Sequence, residues 1–215
     1  MSKPVAVIVV FFLFTCSLLG AQPVDVQAAR EVPAPNYVVD PAHTSIEFVV
    51  THMVISKVRG EFKQFDVQLY WDESNPENSY VVAEIDAASL DTDNQRRDGH
   101  LRSPNFFDVQ NYPKLTFRSH AIRKSEQGFV ARGELTIRGI TRPVDLPFQV
   151  LGPIQDPWGN TRLGIQASTT INRKDFGMTW NRTMDNGGVV VGDEVQIEIQ
   201  AEFVKKKAEE PEASQ

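Results

Sequence analysis

Cysteine is nearly missing from this 215-residue chain: the one residue is Cys16, close to the N-terminus. A disulfide framework, a cysteine nucleophile and a thiolate-bound metal are therefore excluded from everything downstream of it. Basic charge is also in deficit. Twenty-two Lys and Arg face 28 Asp and Glu, for a net charge of −6 and a pI near 5.3. That balance argues against a nucleic-acid partner and against charge-driven attachment to anionic membrane. The run Lys205-Lys206-Lys207 does not alter it, since Glu209, Glu210 and Glu212 follow. Catalytic signatures are missing too. There is no G-x-S-x-G, no H-E-x-x-H, no Walker-type phosphate loop and no G-x-G-x-x-G. "DTDNQR" begins like a calcium loop but fails, with Arg96 at the obligatory glycine and Arg102 at the closing glutamate. No catalytic residue, metal ligand or cofactor is assigned from motifs.

The one long apolar run is Val5 to Leu19, preceded by Lys3 and followed by small residues. Its length suits the h-region of a signal peptide better than a membrane-spanning helix. Cleavage after Ala21 or Ala28 is expected, the second with Val26 at −3. An uncleaved anchor helix is the competing reading, and Phe14-Thr15-Cys16 does not fit a lipoprotein site. Residues 1–28 are thus expected to be a signal peptide and 29–36 a linker. One domain should span 37–204, with a charged tail over 205–215.

Within the domain the dominant signal is a period of two. Ile46, Phe48 and Val50 alternate with polar residues, as do Phe65, Val67, Leu69 and Trp71. The same holds around Val81–Ala87, Leu115–Phe117, Phe129–Ile137, Val144–Val150, Leu163–Thr169 and Val195–Phe203. About eight strands, each with one apolar and one wet face, suggest an antiparallel sheet closed on itself. A sandwich is the competitor, but strands of about ten residues favour a barrel that can enclose one elongated ligand. On parity, the inner wall comprises Phe48, Val50, Val67, Leu69, Phe117, Leu135, Ile137, Ile165 and Ile197.

The stretch "TDNQRRDGHLRSPNFFD", Thr92 to Asp108, breaks the alternation. Asp93/Arg97 and Asp98/Arg102 are spaced for acid-first helical pairs, and Ser103-Pro104 reads as a cap and first-turn proline. Two short helices are expected, forming a lid with Phe106 and Phe107 turned toward the cavity. His52 shares the inward parity of Phe48, and His100 lies on the insertion. Arg173 and Asp175 share the parity of Ile171, placing a charge pair on the apolar side. Such a pair either closes the barrel end, with Asp98 nearby, or presents Arg173 to a ligand head group. His52, Asp98, His100 and Arg173 form the expected polar end.

These stretches together resemble the YceI-like family. The blocks are "VDPAHTSIEFVVTH" with "VRGEF", "DGHLRSPNFFDVQNYPKLTF", "GELTIRGITRPVDLPF", "INRKDFGM" and "VGDEVQIEIQAEF". The resemblance runs from about Tyr37 to Val204. It implies a lipocalin-like eight-stranded antiparallel barrel, a bound polyisoprenoid such as an isoprenoid quinone or polyprenyl lipid, and a periplasmic or otherwise exported location. It marks His43, Ser45, Leu101, Gly133, Asp175, Phe176 and Gly177 beside residues already named, and Phe176 joins the expected cavity set.

Three functions follow as expectations. The first is a carrier, store or sensor of an isoprenoid lipid. The second is a surface-acting envelope-stress or partner-binding barrel. The third is an enzyme on an isoprenoid substrate using His52 or His100 with Asp98. The mature protein is expected not to span the membrane and to be a monomer or dimer.

Overall fold

A computed structural model describes residues 32–185 and 187–207. The expected leader, most of the linker and the end of the tail lie outside them. The first stave of the barrel is made of β1 (Tyr37–Val39) and β2 (Ser45–His52), separated by a 3-10 turn over Pro41–His43. The second is β3 (Ser56–Phe62) and β4 (Phe65–Tyr70). β5 (Tyr80–Asp86) follows, then the short β6 (Leu90–Asp91) and helix α1 (Gln95–Arg102). β7 (Lys114–Ser125), β8 (Gly128–Ile137), β9 (Ile140–Gln155), β10 (Thr161–Asn172) and β11 (Val191–Lys205) complete the sheet.

Every pairing is antiparallel, in the order β1/β2, β3/β4, β5, β7, β8, β9, β10, β11. β11 closes the ring by pairing both segments of the first stave, Val39↔Phe203 and Phe48↔Ile197. The described residues therefore form an eight-stave closed barrel. Side chains of one parity on every stave meet inside, as the period-two pattern requires.

The extra strand segments are ones the apolar pattern conceals. β3 reads Val58, Gly60, Phe62 on its inward side, and the glycine interrupts the apolar row. Gly60 is paired directly with Phe48. A Cβ there would lie 2.5 Å from the Phe48 ring and 2.6 Å from Thr92. Gly133 yields the same space to Phe117, whose ring would be 2.7 Å from a Cβ. In both cases the ring fills the inward position of a neighbouring glycine.

The ends of the barrel differ. At one end, the base, Trp71 meets Phe129 edge-on at 5.2 Å, and Phe129 stacks on Phe148 at 5.5 Å. Tyr37, Leu69 and Leu163 there are fully buried. Asn36, expected in the linker, belongs to the base: its side chain accepts from Trp71 N–H at 2.8 Å and donates to Trp71 O at 2.9 Å. The other end carries the 87–113 insertion, the β2–β3 turn and the 173–190 segment.

The insertion holds one α-helix among the described residues, not two. Asn94 caps α1, and Ser103 ends it, its N–H and hydroxyl both donating to His100 O. The chain then turns tightly, with Phe107 N–H donating to Leu101 O and Asp108 N–H to Ser103 O. Ser103 also starts this turn, its Oγ accepting from Asn105 N–H at 3.4 Å and its O from Phe106 N–H at 3.0 Å, but the turn closes at Asp108 without becoming a helix. The acid-first pairs do not form either. Asp98 accepts from the N–H and hydroxyl of Thr92, while Arg97 reaches Thr92 Oγ1 at 2.8 Å and also its carbonyl. Arg102 donates to Ala88 O at 2.9 Å and to Leu90 O. The buried Asp98 carboxylate is taken by Thr92, and for Arg97 backbone carbonyls fixed by the fold outcompete exposed Asp93, whose pairing would contribute little in water.

Candidate functional site

The interior of the barrel is hollow. A cavity of about 210 Å³ runs between the inner faces of the staves. A single water needs roughly 10–15 Å³ of such space, so this hollow suits a many-atom ligand. It is bounded toward the base by Phe148 and toward the insertion by Leu101, Phe106 and Phe107. Leu101 is the only large apolar side chain of α1, and it faces the cavity. Phe107 packs at 5.7 Å edge-on to Phe62 and 6.4 Å from Phe48, which couples the insertion to the first two staves.

Apart from Thr44, Glu47, Thr169 and Arg173, the lining is entirely aliphatic or aromatic. Each of those four spends its polar atoms elsewhere. Thr44 Oγ1 accepts from Glu202 N–H at 3.1 Å, and Thr169 Oγ1 donates to Asp145 O at 3.1 Å. The Glu47 carboxylate accepts from Arg59 at 3.0 Å on the outer face. Arg173 is 2% exposed. Nε donates to Gly192 O at 2.8 Å, Nη1 to Met178 O and to Trp180 O at 3.0 Å. Nη2 donates to Val191 O at 3.4 Å and to Asp193 Oδ1 at 3.1 Å. A guanidinium has five N–H donors, and all are used. Burial pulls its pKa below the ordinary value, and the Asp193 carboxylate opposes that shift. Among the described residues, no buried side-chain nitrogen or oxygen lacks a partner.

Phe48, Val50, Val67, Leu69, Phe106, Phe107, Phe117, Leu135, Ile137, Ile165 and Ile197 all reach the cavity wall, as their parity or place predicts. Phe176 does not. It is 1% exposed in the core, but the strand period ends at Asn172 and a 3-10 turn over Arg173–Phe176, ended by Gly177 at φ 75°, carries the ring away.

The expected polar end does not assemble. His52 sits at the outer end of β2 and is absent from the lining. Asp98 is buried behind the wall on Thr92. His100 packs edge-on against Phe106 at 5.1 Å and Trp180 at 4.7 Å, with Nε2 3.1 Å from the Asn105 amide. Arg173 lines the cavity but pairs with Asp193; Asp175 is exposed, and its carbonyl accepts from Arg142. Strand parity cannot place these groups, because His52 ends β2, Arg173 follows the end of β10, and Asp98 and His100 lie on α1.

Sequence reasoning passed over Phe62, Val191 and Met178, which also line the cavity. Phe62 was legible two residues past Gly60. Met178 and Val191 flank the irregular segment that Arg173 gathers and carry no periodic signal. The described residues include no helix long and apolar enough to cross a membrane.

A family model for the YceI-like domain matches residues 37–203. A UPF0312 protein of Staphylococcus aureus is 36% identical over 169 residues, covering 78% of this chain and 96% of its own length. Burkholderia cenocepacia BcnA superposes with a TM-score of 0.68 at 25% identity, over 76% of this chain and 98% of that one. A Campylobacter jejuni YCEI protein gives 0.64 at 28%, over 73% and 90%. A polyisoprenoid-binding domain from Saccharophagus degradans, implicated in plant cell wall breakdown, shares the fold: its TM-score is 0.56 at 15% identity, over 80% and 99%.

Proposed function

This chain belongs to the YceI-like domain family, and from that premise we propose that it is a lipid-binding barrel that holds an isoprenoid chain in its cavity. One observation carries the reading: the cavity is walled by hydrocarbon, and each polar group that reaches it is already satisfied. Such a site discriminates by shape and burial, and each CH₂ it takes from water contributes about 0.8 kcal/mol. The ligand class named for the Saccharophagus degradans domain suits this chemistry. That likeness is one of fold alone, so the argument rests on the lining.

The same satisfaction argues for binding over catalysis. General acid–base work needs a titratable group within hydrogen-bond reach of the reacting atom. His52 lies outside the cavity lining, and His100 and Asp98 are turned to other partners. The apolar run Val5–Leu19 supports export as part of the proposal, with carriage, storage or sensing of the lipid in the envelope as its use.

The test is occupancy. Protein recovered from its own host should release a stoichiometric prenyl species on organic extraction, and the emptied protein should take up a prenyl quinone. Leu135→Trp, which drives an indole into the cavity, should fold and lose uptake by at least tenfold. A folded Leu135→Trp variant that retains the lipid would remove the cavity from the account.

A further inference from the structure

The β2–β3 turn at the insertion end is made from the wrong residues for a turn facing water. β2 and β3 are joined by Met53, Val54 and Ile55, with Ile55 N–H donating to His52 O at 3.2 Å. Both central residues have positive φ, 52° for Met53 and 66° for Val54. Hairpin turns of this kind favour Asn-Gly, and a β-branched residue there is strained. Packing does not explain the choice. Met53, Val54 and Ile55 are 39%, 71% and 86% exposed. The tip is braced from the side, because Met53 N–H donates to Val190 O at 2.9 Å, beside Val189, itself 41% exposed. It is also continuous with the cavity wall: His52 pairs with Val191 and Val50 with Val195, and Val50, Val191 and Val195 line the hollow.

We propose that this tip is a prong that inserts into the surface of a lipid bilayer, seating the insertion end of the barrel against the membrane from which its ligand comes. The inference rests on the lipid-binding reading for its choice of occupant, since a long prenyl chain resides in a bilayer and not in water. Exposed Lys57 on β3 and exposed Arg182, whose carbonyl accepts from Val190 N–H, have no ion-pair partner among the described residues. With a net charge of −6 on the whole chain, insertion of apolar side chains must dominate over charge attraction. Binding should therefore survive high salt and need no anionic lipid.

A second exposed apolar group, Leu151, Ile154 and Trp158, lies at the base, away from the insertion end, and serves as the control. Flotation with phosphatidylcholine–phosphatidylethanolamine vesicles at low and high salt decides the matter. The wild type should float at both, and Val54→Asp/Ile55→Asp should lower the partition coefficient at least tenfold. Leu151→Asp/Ile154→Asp should leave it unchanged, and neither variant should melt below the wild type. The proposal is overturned if the wild type stays in solution, if the tip variant floats equally well, or if the base variant is the one that fails. It is equally overturned if sedimentation shows that the tip variant only separates a dimer, which would make a second copy the occupant. Uptake of a prenyl quinone delivered in ethanol, without vesicles, tests the cavity reading separately. Its loss in the wild type with flotation intact would strike the ligand and leave the prong.

Discussion

The two ends of this barrel are closed by different physics. At the base, closure is hydrocarbon on hydrocarbon: Trp71, Phe129 and Phe148 interlock, over the buried Tyr37, Leu69 and Leu163. At the insertion end Leu101, Phe106 and Phe107 meet the cavity, but the segments that carry and surround them are held by arginine on backbone. Arg97, Arg102, Arg138 and Arg173 each donate to main-chain carbonyls of neighbouring segments, Arg138 to Phe106 O and Gly177 O at 3.2 and 3.1 Å. Asp93, Asp108 and Arg138 take positive φ there, the two aspartates with local bonds of their own, Asp93 N–H to Asp91 Oδ1 and Asp108 N–H to Ser103 O. Burial of large aromatics is non-directional and belongs to the global fold, whereas a polar clamp is local and can be released one segment at a time. The base is thus the fixed floor of the barrel, and the insertion end is its divisible closure.

The comparison breaks first at Trp71. Trp71→Ala should cost about 3–5 kcal/mol and lower the melting temperature by roughly 10 °C, with hydrogen exchange rising across the whole barrel. A change confined to the base would mean that the aromatic stack is not part of the global core. Arg173→Met comes next. It removes the Arg173 donors from the carbonyls of Met178, Trp180, Val191 and Gly192 and from the Asp193 carboxylate, of which Val191 O keeps Asn181 Nδ2 and Asp193 keeps Lys174 Nζ. The cost is about 3 kcal/mol, but exchange should accelerate mainly between residues 174 and 193 while the base stays protected. If the base loosens equally, the two closures are one cooperative unit and the distinction fails.

What the sequence made legible follows the same divide. Alternation finds a stave wherever the inward residues are large, so Val67, Leu69, Leu135 and Ile197 could be placed on the wall before any coordinates. It loses β3, where Gly60 stands inward to admit the Phe48 ring, and β1, which is only three residues long. The insertion end is the least legible part. Its partners are carbonyls, which every residue has, so the destinations of Arg97, Arg102 and Arg173 leave no trace in residue type. Charge spacing suggested carboxylate partners and the fold supplied peptide oxygens. Phe106 and Phe107 were legible only as bulky apolar residues beside a lid. Their neighbour Trp180, 5.4 Å from Phe106, comes from a segment without period.

An ion cluster on the outer wall sharpens the comparison from the base side, with the smallest expected effect. Arg162 lies on the outer wall near the base, pairing with Asp40 at 2.8 Å, Asp156 at 2.7 Å and Glu202. His43 Nδ1 also lies 3.0 Å from Asp40. The Arg162 guanidinium holds the Asp156 carboxyl well below the carboxylate range, helped by Asn160, and lowers Asp40 together with His43. A carboxylate whose pKa is depressed on folding adds stability that is present above its unfolded pKa of about 3.9. That stability is lost as pH falls through the lower folded value. Arg162→Met should therefore lower the urea midpoint modestly at pH 7, and the gap to wild type should shrink on acidification below about pH 4. Because the cluster sits outside the wall, prenyl quinone uptake at pH 7 should not change. A gap that stays constant from pH 7 down to about pH 2 would assign the cluster's contribution to packing by the Arg162 stem instead of to charge. Lost uptake would show that the base wall transmits strain to the cavity, and the rigid floor inferred from Trp71, Phe129 and Phe148 would have to be given up.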